Sequence, residues 1–384
     1  SSGRNWCDMF DRIVQMFVKE IIQVLRDPRM RGVVFVAPVV QLFVLSYAIT
    51  TDVKNIRLAV VDRDATPESR EIISRFAGSE YFHIVSYVDS EEAAQDMVDR
   101  EQVQAFIAIQ PGFAQALRAG WSAPLQLAID GTDSQTTRVI LGYANDVVTR
   151  YSTQVLVDRF ARTTGRRLEP DRVPLETRAW YNVNLESREF YVPGMLVVIL
   201  GLVTLMLTSM AVVREREIGT LEQLMVTPIK PAELIIGKTV PFACVSFVEL
   251  AIVLCIVIFW FEIPLRGSLW LLLLGSALYV TSMLGAGLLI STSCRTQQQA
   301  TMTNIMFLMP TILLSGFIFP IDNMPRVIQW VTIVNPMRYF VDVSRNVFLK
   351  GSGIALLWPD LAALLVIGCV LLALASTRLK KTLA

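Results

Sequence analysis

Two long apolar runs enclose the charged stretch REREIGTLEQLMVTPIKPAEL, residues 214–234. Its ionised side chains would be too costly in hydrocarbon for the stretch to cross a bilayer. A charged segment between two membrane spans must therefore lie at a membrane surface. There it forms a short element that a partner protein could push.

The composition of the whole chain indicates an integral membrane protein. Of 384 residues, 53% are hydrophobic and only 18% are charged, with a mean hydropathy of +0.49; soluble proteins are far less apolar. Six runs reach roughly the 20 residues that a helix needs to cross a bilayer. They lie at residues 32–50, 191–213, 240–261, 269–292, 300–319 and 356–376.

Lysines and arginines beside the predicted spans set the orientation, because positively charged flanks stay in the cytoplasm. The flanks on one side carry 14 of these residues and the opposite flanks carry 5, when the long loop after the first span is left out. Both termini and the loop at 214–238 are therefore predicted to be cytoplasmic. The net charge of +1 gives no reason to expect nucleic-acid binding.

The region before the first span, residues 8–25, has apolar residues at three- and four-residue spacing with charged residues between them, which predicts an amphipathic helix. Such a helix lies in the membrane interface or packs against the cytoplasmic ends of neighbouring spans. The two placements are compatible.

The loop between the first two spans is large enough to be a domain. Strands are predicted at 57–62, 81–88, 102–109 and 125–129, and helices at 67–76, 90–100, 111–118 and 134–161. This alternation predicts a small α/β or α+β extracytoplasmic domain. After the fifth span, prolines interrupt residues 320–353, which predicts short helices that dip into or lie on the outer interface.

The predicted organisation follows from these segments. Residues 1–31 hold the interfacial helix, 32–50 the first span and 51–188 the extracytoplasmic domain. Residues 189–384 hold spans two to six, a cytoplasmic coupling helix at 214–230 and the outer re-entrant segment at 320–353. The fold class is therefore a polytopic α-helical membrane protein with six spans and one α/β domain.

Enzyme chemistry has little support in this sequence. Gly237-Lys238-Thr239 ends like a phosphate-binding loop, but Ala232 replaces the first glycine and the motif leads straight into a span. Lys238 is instead expected to snorkel to the membrane surface. His83 is a lone histidine, and the five cysteines form no metal-binding spacing, so no metal or cofactor is expected. Asp62-Arg63-Asp64 is interpreted as a turn, because the other ligands of a calcium loop are missing.

Glu249 is the main ionisable residue inside a predicted span, and such residues are functional candidates. It lines a substrate route or bonds across a contact between spans. Met302, Met306 and Met309 form a stripe at helical spacing, which suits either a promiscuous transport surface or ordinary packing. Gly285 and Gly287 permit close approach of two helices.

Several motifs together resemble the type 2 permeases of ABC transporters, the exporter class. RERExGTLEQLxVTPI followed by PxELIxGKxxP resembles the loop between the second and third spans of that family. Asn184-Leu185-Glu186-Ser187-Arg188 resembles the entry into its second span. Lys19-Glu20 with Arg26-Asp27-Pro28 resembles its N-terminal helix. Ser315-Gly316, Phe319-Pro320, Asn335-Pro336 and Arg338-Tyr339-Phe340 resemble the segment after its fifth span.

The resemblance implies a half-transporter in a bacterial inner membrane. Two permease subunits, identical or related, would dock on two separate ATP-binding subunits that hold ATP and Mg²⁺, and a periplasmic adaptor could join them. The coupling helix would seat in a groove of the ATPase. The residues that the resemblance assigns to it are Arg214, Glu215, Arg216, Glu217, Gly219, Thr220, Glu222, Gln223, Leu224 and Pro228.

The sequence thus predicts the permease of an ATP-driven exporter of amphiphilic, drug-like or lipid-like substrates. Motion of the ATPases would pass through residues 214–228 and the helix at 8–25 to the spans. A proton-driven transporter that uses Glu249 is one alternative. A membrane-anchored sensor built on the outer domain is the other.

Overall fold

The computed structural model describes residues 2–48, 55–164, 187–219 and 231–383. The chain divides into two compact units, one formed by Ser1–Thr50 with Arg178–Ala384 and the other by Thr51–Thr177. The described α-helices are, in chain order, α1 Ser2–Arg26, α2 Pro28–Arg31, α3 Ala37–Ala48, α4 Pro67–Ala77, α5 Glu91–Asp99, α6 Phe113–Ala119, α7 Ser134–Thr164, α8 Ser187–Ile218, α9 Pro231–Phe259, α10 Leu269–Ser293, α11 Gln297–Leu313, α12 Arg326–Thr332, α13 Pro336–Arg345 and α14 Ile354–Leu383.

The smaller unit is an α/β domain around one four-stranded sheet. Its strands are β1 Ile56–Asp62, β2 Phe82–Tyr87, β3 Ala105–Ile109 and β4 Leu125–Ile129, in the spatial order β2-β1-β3-β4. β1 runs parallel to β2 and β3, and β4 runs antiparallel to β3. The alternation of strands and helices predicted from the sequence is confirmed to within a few residues at each boundary.

Helices cover both faces of this sheet because its central strands are apolar on both sides. Side chains of α4, α6 and α7, such as Phe76, Phe113 and Ile140, pack with one face. Ala94 of α5 packs with Phe106 on the other. The Asp62-Arg63-Asp64 segment is a turn as predicted, since an Asp62 oxygen accepts the N–H groups of Asp64 and Ala65. His83 is an exposed residue of β2.

The larger unit is helical, and four of its described helical stretches are long and apolar enough to cross a bilayer. They are Ser187–Ile218, Ile236–Phe259, Leu269–Ser293 and Ile354–Arg378. The first and fifth predicted spans form shorter helices. A π-helix at Gly32–Val36 joins α3 to make the apolar helix Gly32–Ala48, and α11 has 17 residues. The structure thus supports a polytopic helical protein, and six spans remain a prediction.

The fifth predicted span ends earlier than the sequence pattern indicates. The prediction extended it to residue 319, but α11 ends at Leu313. Ser315 bonds its hydroxyl to the Ile312 carbonyl and accepts the Phe317 N–H, and Gly316 has a φ of +79°. A left-handed residue next to local side-chain bonds stops a helix whatever the hydropathy of the following residues.

α8 lies at the centre of the helical unit. It packs against α3, α9, α10, α11 and α13, and most of its side chains are buried. The Tyr279 hydroxyl of α10 donates to the Val197 carbonyl of α8 at 3.2 Å, above Gly201. Residues 320–353 form the predicted short helices, among them α12 and α13. The apolar face of α13, including Phe340, is fully buried in the unit.

Candidate coupling site

The predicted coupling residues begin inside α8. Arg214–Ile218 form its last turn and continue the predicted span without a break. Gly219 follows with a φ of +82°, a conformation that glycine adopts without strain. Thr220, Glu222, Gln223, Leu224 and Pro228 lie outside the described residues. A helix over all of 214–230 therefore stays a prediction, and its first turn belongs to α8.

Glu215 joins α8 to two other helices. One carboxylate oxygen accepts a hydrogen bond from Lys19 Nζ of α1 at 2.8 Å, and the other accepts one from Lys238 Nζ of α9. The side chain of Lys19 is half exposed, whereas those of Glu215 and Lys238 are buried. Buried ion pairs of this kind are sensitive to the loss of either partner.

Glu20 adds a second carboxylate to the same buried cluster. It is 4% exposed, and Lys238 Nζ lies 4.0 Å from its oxygen. Burial raises the pKa of Glu20; Lys238 opposes this rise and the neighbouring Glu215 adds to it. The lysine that was expected to snorkel is therefore enclosed by two carboxylates. That prediction was wrong, because the acids of α1 and α8 supply an internal counter-charge.

The two arginines of the last turn of α8 reach further elements. Arg214 Nη1 lies 3.5 Å from an Asp27 oxygen, directly after α1. Arg216 Nη1 donates to the carbonyls of Thr292 and Cys294, at 3.3 Å and 3.2 Å, where α10 ends. A cation beside the last carbonyls of a helix is favourable because the helix dipole is negative there.

Glu217 binds the N-terminal end of a helix, whereas Arg216 binds a C-terminal end. A carboxylate oxygen accepts the backbone N–H of Gln297 at 3.1 Å and its side-chain amide at 3.0 Å. Gln297 is the first residue of α11, so the carboxylate lies at the positive end of that helix dipole. The first turn of the charged stretch is thereby tied to α1, α9, α10 and α11.

The side chains of Arg214-Glu215-Arg216-Glu217 make contacts that reach beyond α8. From the sequence alone, these four residues are also compatible with a solvated helix end in which charges three positions apart pair with each other. The partners described above lie on other elements, between 23 and 196 positions away in sequence. Residues 215–217 are therefore bonded directly to four other helices, and we call this turn with its partners the junction.

Sequence reasoning missed Glu20 and Lys238 as members of this junction. The sequence did contain a signal for Glu20. Ile13, Phe17, Glu20 and Val24 follow one another at spacings of four, three and four residues, so Glu20 lies within the apolar stripe of α1. A charge within that stripe of α1 faces inward and needs a partner. Gly237-Lys238-Thr239 gave no such signal; it lies within α9, where Gly237 packs against Met16.

The predicted transport-path residues differ in burial. Glu249 is 2% exposed in α9, and neither of its carboxylate oxygens has a hydrogen-bond partner among the described residues. Met302, Met306 and Met309 are 62%, 80% and 60% exposed on α11. The carboxyl group is thus enclosed in the helical unit, whereas the methionine side chains lie on the surface of α11.

Known proteins resemble this chain over most of its length. Residues 30–377 match the family described as ABC-2 family transporter protein. The probable multidrug ABC transporter permease YbhR of Escherichia coli strain K12 is 34% identical, over 94% of this chain and 95% of its own length. The probable multidrug ABC transporter permease YbhS of the same strain is 33% identical, over 89% of each chain. The linearmycin resistance permease protein LnrN of Bacillus subtilis is 22% identical, over 87% of this chain and 90% of its own.

Proposed function

This chain belongs to the ABC-2 family of transporter proteins, and we propose that it is the membrane-spanning permease subunit of an ATP-driven exporter. The observation that carries the proposal is the junction at the end of α8. Glu215, Arg216 and Glu217 bind four helices in one turn, at the start of the stretch that resembles a coupling helix.

Energy is proposed to come from separate ATP-binding subunits. Two such subunits would hold ATP and Mg²⁺ and close on ATP binding, and residues 214–228 would receive that motion. The only partial phosphate-loop motif lies in α9, where Lys238 is enclosed by carboxylates. Lys238 therefore serves the junction instead of a nucleotide. A second permease subunit, identical or related, would complete the transport path.

The substrate is proposed to be amphiphilic, either drug-like or lipid-like. Two of the relatives carry the word multidrug in their names. The described spans are strongly apolar, with Glu249 as the main exception near a span centre. A surface of this kind favours amphiphiles over sugars or small ions.

The proposed topology follows from the charge asymmetry of the sequence. It places both termini and the junction in the cytoplasm of a bacterial cell and the α/β unit outside the inner membrane. The exposed apolar residues of α1, among them Val18 and Ile22, suit a helix that lies in the interface while Val24 packs inward. A periplasmic adaptor would meet the α/β unit.

We predict that Glu217→Ala and Gly219→Ala uncouple ATP hydrolysis from transport. Glu217 loses its bonds to Gln297, and alanine at a φ of +82° costs roughly 1–2 kcal/mol, so the junction changes shape. In liposomes with the partner ATPase, substrate-stimulated hydrolysis and export are expected to fall about tenfold. Glu92→Ala removes an exposed carboxylate from the first turn of α5 and is the control. Unchanged coupling in both junction variants would contradict the assignment.

Glu249 supports a second candidate, a proton-driven transporter, because its buried carboxyl group has no partner among the described residues. We predict that Glu249→Gln retains ATP-driven export within about threefold, since the amide fills the same space without carrying a proton. The measurement is export with ATP and, separately, with an imposed proton gradient. Export that needs the gradient and the carboxyl group, but not the ATPase, would establish the second candidate instead.

A further inference from the structure

Arg345, the last residue of α13, binds the chain just after α11. Its guanidinium donates to the carbonyls of Gly316 and Phe317, both at 2.9 Å. The same group lies over the Phe190 ring of α8, 3.8 Å from the ring centroid. One cation therefore holds two consecutive carbonyls and an aromatic face, and three segments meet at this side chain.

The neighbouring contacts bring the same three segments together. A Cβ on Gly194 of α8 would overlap the Phe317 ring, and that ring also meets Tyr191 edge to face at 6.1 Å. The Ser344 hydroxyl of α13 donates to the Pro193 carbonyl at 2.9 Å. Phe317 and α13 thus both pack against the start of α8.

One hydrogen-bond donor within this contact has no acceptor in the part of the chain that the structure describes. Arg345 Nε is buried and has no hydrogen-bond partner among the described residues. A buried donor without an acceptor weakens the state that contains it. The contact is therefore tightly packed, but its unpaired donor raises the free energy of the closed state. This suits an element that opens and closes better than one that only supports the fold.

α8 connects this contact to the coupling junction. The helix has 32 residues, which corresponds to a length of about 48 Å at the usual rise of an α-helix. Its last turn carries Glu215, Arg216 and Glu217, and its first turns carry Phe190 and Gly194. Pro193 removes one backbone hydrogen bond near the N-terminal end of α8, and a helix bends most easily at such a proline.

We propose that Arg345 is a positioning residue that holds an outer gate closed. The gate consists of Phe190, Gly194, Gly316, Phe317 and Arg345. When the junction moves α8, the guanidinium releases the two carbonyls, Phe317 leaves Gly194 and the substrate passes outward. This inference rests on the proposed exporter function and on the orientation that places the start of α8 outside.

A reversible cross-link tests the opening directly. Gly194→Cys with Phe317→Cys, in full-length protein whose native cysteines are replaced by serine, places two thiols where the ring now touches α8. With the partner ATPase in liposomes, oxidation is expected to lower export at least about twentyfold, and a reductant to restore it. Cross-linked protein that exports as fast as reduced protein would overturn the gate. Wild-type protein without any ATP-dependent export would overturn the exporter proposal and the gate with it.

Substitution of Arg345 distinguishes a role in gating from a purely structural role. Arg345→Gln keeps one donor but loses the charge and the paired geometry, and is expected to raise basal ATP hydrolysis about threefold while export per ATP falls about tenfold. Arg345→Lys should recover part of the coupling. Arg338→Gln is the control, because Arg338 donates to Thr332 in the same outer segment. Equal losses of export and hydrolysis in Arg345→Gln and Arg345→Lys, with folded protein, would show a structural role only.

Discussion

The Lys238→Met variant is expected to lose most of its folded, transport-competent protein. Methionine fills a similar volume, but it removes the cation that lies 4.0 Å from the buried Glu20 carboxylate and one of the two lysines that bind Glu215. Removing one partner of a buried ion pair typically costs roughly 3–5 kcal/mol, because the remaining charge stays desolvated. The measurement is the yield of monodisperse protein in detergent and its melting temperature, followed by ATP-driven export of whatever folds.

Lys19→Met is the matched control for this effect. Lys19 donates to the same carboxylate, at 2.8 Å, but its side chain is 53% exposed and the lost interaction is screened by water. The expected cost is therefore about 1 kcal/mol or less. Lys238→Arg keeps the charge, and Glu215→Gln added to Lys238→Met removes one of the two stranded acids. Both should recover stability relative to Lys238→Met, and equal damage from all of these variants would contradict the buried-charge explanation.

The pH dependence of Lys238→Met gives a second test. The folded pKa of Glu20 is raised by burial, and loss of Lys238 raises it further. A raised carboxyl pKa means that the folded state binds more protons than the unfolded state between the two pKa values, so stability increases as the pH falls through that window. The deficit in melting temperature relative to wild type should therefore narrow as the pH falls from 8 toward the ordinary glutamate pKa of 4.5. A deficit that is constant over this range would show that Glu20 is not the cause.

The α/β unit was predictable because its signals are local. β1 and β3 are short apolar runs, and Thr66 and Ser90 cap the following helices by accepting N–H groups three residues later, as their positions indicate. The order of the strands was not predictable in this way. It depends on which apolar faces α4, α5 and α7 cover, and that is decided by contacts between distant residues.

The position of the charged turn was predictable from the sequence, but its partners were not, because they are distant in sequence. The charge of Arg214–Glu217 excluded a place in hydrocarbon, and this predicted that the turn lies at a membrane surface. Partner choice was not encoded locally, since Glu215 meets Lys19 from 196 positions away and Lys238 from 23. Lys238 was therefore assigned to the membrane surface by a general rule about long basic side chains. The rule fails where acids from two other helices compensate the charge.

Gly285→Leu is expected to prevent folding of the helical unit. A Cβ on Gly285 of α10 would lie 2.9 Å from Leu371 Cβ and 3.0 Å from the Leu372 backbone nitrogen of α14. Both are parts of the chain that cannot rotate away, so the two helices must separate. Extra methylene groups in a well-packed core typically cost about 1–3 kcal/mol. Leucine adds several, and we expect little monodisperse protein on size-exclusion chromatography.

Gly285→Ala and Gly142→Ala separate packing from helix propensity. Alanine favours a helix over glycine by about 1 kcal/mol wherever there is room. Nothing lies within 4 Å of a Cβ on exposed Gly142 of α7, so Gly142→Ala should keep or raise the melting temperature. At Gly285 the same change meets α14, where the Ser282 hydroxyl donates to the Leu364 carbonyl at 3.2 Å. The melting temperature should fall there by several degrees, because separating α10 from α14 also weakens that bond. A rise at both positions would mean that the two helices are not held at this distance.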